Sequence, residues 1–227
     1  MNKFRVYTFS VVLSIIALFV SFPTSAQSKS GAAPTSAPIP LEVVLGTKSW
    51  TSQLIIDKKF SPESKLGFFS LSYIKANYDN DEYLRESLNL MLLKYELVKN
   101  VSVLSGAAYS SIWGFRPYAG GQYAYMSRTF MCAIISGLYL SESHNYEALA
   151  MAEYRPVIKD KWSLYTRAQA LYNQNTETGK HDRSHAYGRL GLSYKTFSFG
   201  CALNYDWYGP MKMKDHQWGI FISTLLW

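Results

Sequence analysis

The sequence predicts an all-β protein: a single antiparallel transmembrane β-barrel of twelve strands, with ten strands as the alternative. Three observations predict it. The first is a strict alternation in Phe197–Trp207. Phe197, Phe199, Cys201, Leu203, Tyr205 and Trp207 are apolar or aromatic, whereas Ser198, Gly200, Ala202, Asn204 and Asp206 are small or polar. A period of two is a strand with two unlike faces, and this polar face is too small and wet for a dry core, as in a strand between lipid and a polar lumen. The second is that segments of about ten to fourteen residues alternate with turn signals, the length that spans a membrane when tilted. The third is the aromatic load of 18 Tyr, 12 Phe and 6 Trp. Barrels place such rings at the two membrane interfaces, where one end is apolar and the other wet.

Met1–Ala26 reads as an export signal. A basic start at Lys3 and Arg5 precedes an apolar run, Val6–Phe22, and a small-residue exit ending at Ala26. An uncleaved anchor is the competing reading, disfavoured by the short run. Residues 27–40, rich in Ser, Ala and Pro, form a disordered leader with almost no large side chain to bury. The barrel then occupies residues 41–227. Its predicted strands are Leu41–Thr47, Trp50–Lys59, Lys65–Tyr78, Leu84–Val98, Val101–Trp113, Tyr118–Met126, Phe130–Leu140, Tyr146–Val157, Trp162–Asn173, His185–Lys195, Phe197–Trp207 and Trp218–Trp227. The first is short for a span. Without it the barrel has ten strands, starting at Lys65.

The connections carry a topology. Counted back from Trp227, the periplasmic links are Thr196, Ile158–Lys161, Ser127–Thr129, Lys99–Asn100 and Ser61–Ser64. The outer links include the two longest, Gln174–Ser184 and Tyr208–Gln217, with Asp79–Tyr83, Gly114–Pro117 and Ser141–Asn145. Short inner turns and longer outer loops are the habit of bacterial barrels. The rival all-β reading is a secreted soluble barrel or sandwich binding protein, for which that alternation would be an accident.

The chain stops on an aromatic after Trp218–Trp227, where the positions taken in twos are Trp227, Leu225, Ser223, Phe221 and Gly219. This resembles the terminal signature of outer-membrane barrels, which implies recognition of this strand by the barrel-assembly machinery. The Tyr-rich strands, the GFRP segment at Gly114–Pro117 and the NYDWYGP segment at Asn204–Pro210 are similar to uncharacterised outer-membrane barrels of the Bacteroidetes type. That resemblance covers most of the exported chain, implies the cell outer membrane of a Gram-negative bacterium, and implies no activity.

Alternation places Glu147, Glu153, Arg155, Arg167, Arg189 and Asp206 on inward faces. An arginine on the lipid face at mid-membrane costs about 2–4 kcal/mol. These groups either line a selective pore or pair into a plug that stiffens a narrow barrel. The four histidines, His144, His181, His185 and His216, fall in predicted outer loops or at their edge. His181, Asp182 and His185 are the densest titratable cluster and the first candidates for a hydrolase at the outer rim, with His144 and His216 as further rim candidates. The favoured reading is a non-enzymatic barrel, structural or accessory or a small passive channel. Cys132 and Cys201 fall in separate strands and read as unpaired thiols. No metal or organic cofactor is expected, since no phosphate-cradling, dinucleotide or Gly-x-Ser-x-Gly motif occurs. Loss of Lys3 and Arg5 leaves 21 of the 23 basic residues against 16 acidic ones. That excess is small and undispersed runs are lacking, so nucleic acid is not a partner. Membrane lipid is, and the barrel is expected to be monomeric.

Overall fold

The computed structural model describes residues 37–79, 85–142 and 144–227. The predicted export signal, Met1–Ala26, and residues 27–36 of the predicted leader lie outside the described residues. The described chain folds as β1 (Ile39–Gly46), β2 (Ser49–Lys59), β3 (Leu66–Asn77), β4 (Glu86–Val98), β5 (Val101–Ser110), β6 (Gly114–Met126), β7 (Phe130–Tyr139), β8 (Asn145–Tyr154), β9 (Val157–Lys159), β10 (Trp162–Asn175), β11 (His181–Tyr194), β12 (Phe197–Tyr208) and β13 (Met213–Leu226). Each strand pairs antiparallel with its neighbours, and β13 closes on β1. Closure leaves no free edge, the condition for a sheet in lipid. The three residues of β9 continue the stave of β8 below a break at Arg155–Pro156, since both pair with β10. The barrel therefore has twelve staves.

This settles the strand count. β1 has only eight residues, yet it pairs with β2 along one side and β13 along the other. It opens at Ile39, two residues before the predicted start, and the ten-strand alternative falls.

The two longest predicted outer connections are shorter than the sequence suggests. The link predicted as Gln174–Ser184 shrinks to residues 176–180, and that predicted as Tyr208–Gln217 to residues 209–212. β10, β11 and β13 each reach 14 residues instead. The segment Gly114–Pro117, predicted as a loop, opens β6 and pairs with β5. Inner turns are as tight as expected at Lys99–Asn100 and Lys195–Thr196, with Asn100 at φ 70 and Lys195 at φ 55, the left-handed backbone that two-residue hairpins use.

The faces follow the alternation. On β12, Phe197, Phe199, Cys201, Leu203 and Tyr205 are exposed while Ser198, Ala202, Asn204 and Asp206 are buried. On β13 the outward set is Trp218, Ile220 and Ile222, and Phe221 and Ser223 are buried inside. Leu225, Ser223, Phe221 and Gly219 thus fall on the inward face of β13, while Trp227 beyond its end is exposed. Around the barrel the outward residues form two aromatic belts with an aliphatic band between them. One belt holds Tyr95, Tyr125, Phe130, Tyr154, Trp162, Tyr194 and Phe197; the other holds Tyr109, Phe115, Tyr146, Tyr172, Tyr205 and Trp218. Phe197 and Tyr205 lie eight residues apart on β12, about 27 Å along a strand, which a tilt near 40° reduces to about 20 Å along the barrel axis.

Candidate functional site

The interior has a dry side and a wet side. Phe69, Leu71, Leu90, Leu92, Leu104, Ala108 and Ile135, on β3 to β7, pack into one apolar cluster with Tyr118 and Tyr139. The opposite wall, β10 to β13 with β1, carries Glu42, Arg167, Arg183, Arg189 and Asp206, while Asp57, Lys75, Glu86 and Lys94 add charges at the two ends of β2 to β4. A uniformly polar lumen, as β12 suggests, is therefore only half the picture.

At mid-height Arg167 on β10 and Arg189 on β11 face each other across a register pair. Like charges so placed repel. One oxygen of Glu42, on β1, accepts from both: Arg167 Nη2 at 2.8 Å, Arg189 Nε at 3.0 Å and Arg189 Nη2 at 2.9 Å. Arg167 also donates to Gln53 at 3.3 Å, and Arg189 to Asn204 at 2.8 Å. The side chains of Glu42, Arg167 and Arg189 are 3%, 2% and 2% exposed. Charges in an open aqueous passage would be wetted; these are enclosed.

Above them, Asp206 accepts from Tyr187 at 2.8 Å and Arg183 at 3.1 Å, with Lys75 at 3.9 Å. Arg183 also pairs with Glu86 on the far wall, and Lys75 with Asp215 at 2.8 Å. Glu147 accepts from Tyr139 and Asn173, both at 2.8 Å. Lower down, Glu153 lies 2.5 Å from Arg155 and accepts from Tyr165 at 3.0 Å, while Lys94 pairs with Asp57. The six charges read from the sequence thus all face inward, but they sit in separate tiers and do not pair with one another except Glu153 with Arg155. Sequence reasoning missed Glu42, Lys75, Arg183 and Glu86. Glu42 stands alone in the apolar run Ile39–Gly46, in the one predicted strand that is short for a span; Arg183 falls in the predicted loop Gln174–Ser184.

The histidines do not converge. His144 lies 3.1 Å from Glu177 in the outer turns. His216 points outward and stacks on Tyr205 at 5.5 Å between ring centroids. His185 is not in a loop: it is buried in the lumen, stacked on Tyr187 at 4.1 Å, with Nε2 3.1 Å from Gln169. His181 opens β11, its Nε2 2.7 Å from Ser184 Oγ and its Nδ1 2.8 Å from the Gly209 carbonyl. Asp182 accepts from Asn145 at 2.9 Å. The expected trio of His181, Asp182 and His185 is therefore split between wall, rim and lumen, and forms no joint site. Among the described residues no three His, Cys, Asp or Glu side chains gather to hold a metal. Cys132 and Cys201 are both free thiols.

No family model matches this chain, and no curated protein matches it. Its neighbours among solved structures include two porins and an outer membrane protein. The KdgM porin is 13% identical, over 83% of this chain and 98% of that one, with a TM-score of 0.44. The NanC porin is 10% identical, over 82% and 98%, with a TM-score of 0.47. OprD from Pseudomonas aeruginosa is 10% identical, over 79% and 62%, with a TM-score of 0.40. These distant likenesses assign no role to any residue here.

Proposed function

We propose that the protein is a barrel of the outer membrane, structural or accessory in role, whose lumen carries no chemistry of its own and is closed by ion pairs rather than held open as a channel. The observation that carries this is the enclosed junction of Glu42 with Arg167 and Arg189, side chains at most 3% exposed. Three charges removed from water need each other, and a conduit for solute would have to break them. The belted apolar exterior supports the membrane placement. A soluble barrel would present Met91, Leu93, Leu190, Leu203, Ile220 and Ile222 to water around its whole girth, far beyond the apolar patch a soluble monomer tolerates. In this reading membrane lipid is the main partner, and the barrel-assembly machinery takes hold of the chain at β13. The experiment is reconstitution in a planar bilayer beside cell fractionation. The protein is expected in the outer membrane, with heat-modifiable gel mobility and no steady conductance. A steady open channel overturns the closed lumen; a detergent-free periplasmic pool overturns the location.

A further inference from the structure

A serine and a histidine meet on the outside of the barrel, away from the lumen network. In a regular strand, residues three apart point to opposite faces. The β10–β11 ladder breaks that rule at its outer end: Asn173 pairs with Arg183 but Gln174 pairs with His181, leaving Asp182 as the extra residue of a bulge. A bulge re-aims side chains. Here it turns His181 to the outward side, where it is tucked in and only 8% exposed, its ring 5.9 Å from that of Tyr172 and its Nε2 2.7 Å from Ser184 Oγ. The Gly209 carbonyl, 2.8 Å from Nδ1, makes that nitrogen the protonated one and leaves Nε2 as the acceptor of the serine proton. A nucleophile, a base and a group orienting the base are the parts of nucleophilic acyl transfer.

We propose that Ser184 and His181 form an acyl-transfer site for ester-linked membrane lipids, built on the outer wall of the barrel. The depth and the surface below agree with that substrate. Ser184 pairs with Tyr172 and Trp207, at the level of the outer aromatic belt, where the polar linkages of lipids lie. Directly below, the outward positions of three neighbouring staves are small: Ala150, Ala152, Ala168, Ala170, Ala186 and Gly188. The lane drops about 14 Å from Ser184 to Gly188. At its foot opens a groove of about 230 Å³ lined by Ala152, Ala168, Thr166, Tyr154 and Phe130. A lipid whose ester carbonyl sits at Ser184 would lay its acyl chain in this lane.

The chemistry balances with water as the second substrate. Ser184 Oγ bonds to the acyl carbon while its proton passes to His181 Nε2. The ester C–O bond breaks, and the Nε2 proton moves to the departing alkoxide, releasing the deacylated lipid. Water then gives a proton to Nε2 and its oxygen to the acyl carbon, the Ser184 ester breaks, and the fatty acid leaves with the serine restored.

The inference rests on the proposed membrane placement but not on the closed lumen. The test uses the full chain, folded in mixed micelles or in palmitoyl-oleoyl phosphatidylethanolamine vesicles, with heat-modifiable mobility confirming that each variant is a barrel. Three readouts are expected: fatty acid released from the vesicles, turnover of p-nitrophenyl palmitate, and a fluorophosphonate adduct mapped to Ser184. Ser184→Ala and His181→Asn each lower turnover by roughly 10³-fold or more. Ala170→Leu, which fills the lane, lowers the ratio of palmitate to acetate ester turnover about tenfold. A folded wild type that releases no more fatty acid than Ser184→Ala overturns the site, and turnover of the acetate ester alone overturns the lipid substrate. A chain that never partitions into membranes fails the placement instead.

Discussion

Glu42 accepts from two guanidinium groups through a single oxygen, while its other carboxylate oxygen finds no partner. The cost of removing it is therefore set by the arginines, not by the glutamate. Glu42→Gln keeps the shape but leaves Arg167 and Arg189 face to face with no anion between them. Breaking a buried ion pair from one side costs about 3–5 kcal/mol, so the heat-modifiable transition of Glu42→Gln should fall well below that of the wild type. Replacing all three residues, as in Glu42→Gln with Arg167→Met and Arg189→Met, should recover most of the loss, because no charge is then stranded. A triple variant as unstable as the single one would show that packing, not charge, decides. The contrast is Lys48 with Asp215, 3.0 Å apart with the lysine side chain 54% exposed. Wetted pairs contribute about 0–1 kcal/mol, so Lys48→Ala should leave the transition nearly in place.

The strands differ in how plainly their sequences declare them. β12 is legible throughout: the alternation predicts Phe197–Trp207 and the strand is Phe197–Tyr208. β13 misleads because its inward set contains Phe221, which packs against Tyr165 inside the barrel; an interior with apolar patches erases the contrast that parity relies on. The outer ends of β11 and β13 read as loops because His181-Asp182-Arg183 and Lys214-Asp215-His216 look solvated, yet Arg183 and Asp215 are tied to Glu86 and Lys75 on other staves, contacts no local pattern contains. Two element-level expectations follow from the faces. Native Cys201, exposed on the lipid side of β12, should react with a membrane-permeant maleimide and resist a charged one. A cysteine placed at Asn204, which is 2% exposed, should resist both until the barrel is melted; free labelling there by the charged reagent would mean a wet lumen. At Gly191 and Gly200 the backbones of β11 and β12 approach so closely that a Cβ on Gly200 would lie 2.2 Å from the Leu190 carbonyl oxygen. That oxygen belongs to the ladder and cannot rotate away. Gly200→Ala should thus lower the yield of folded barrel, whereas Ala202→Gly, one inward position along, should be mild by comparison.

At the scale of the molecule the question is what twelve staves enclose. A ring of that size has room for a water-filled passage, and an empty lumen would leave its wall residues wet. Instead Leu92 and Tyr165 are 0% exposed and Phe221 1%, from opposite walls. The dry cluster on β3 to β7 and the Glu42, Arg167 and Arg189 junction on β1, β10 and β11 fill the interior from two sides. A barrel filled this way is held by its core as well as by its ladder, like a soluble β-barrel turned inside out only at its surface. Reconstituted wild type should accordingly give no steady current in a planar bilayer. Shortening the plug is the decisive manipulation. Arg167→Ala together with Arg189→Ala and Glu42→Ala removes the mid-height junction without stranding a charge, and water can then reach from the Asp206 tier to the Glu153 tier. Current should appear in that variant, and it should favour cations, since the lumen charges that remain, the carboxylates of Asp57, Glu86, Glu147, Glu153, Asp206 and Asp215 against Lys75, Lys94, Arg155 and Arg183, leave an excess of negative charge and fixed charges set which ions enter. A wild-type channel that is already open, with an ion preference that changes on Arg167→Ala alone, would instead mean that the arginines line a conduit and that the junction parts readily in the membrane.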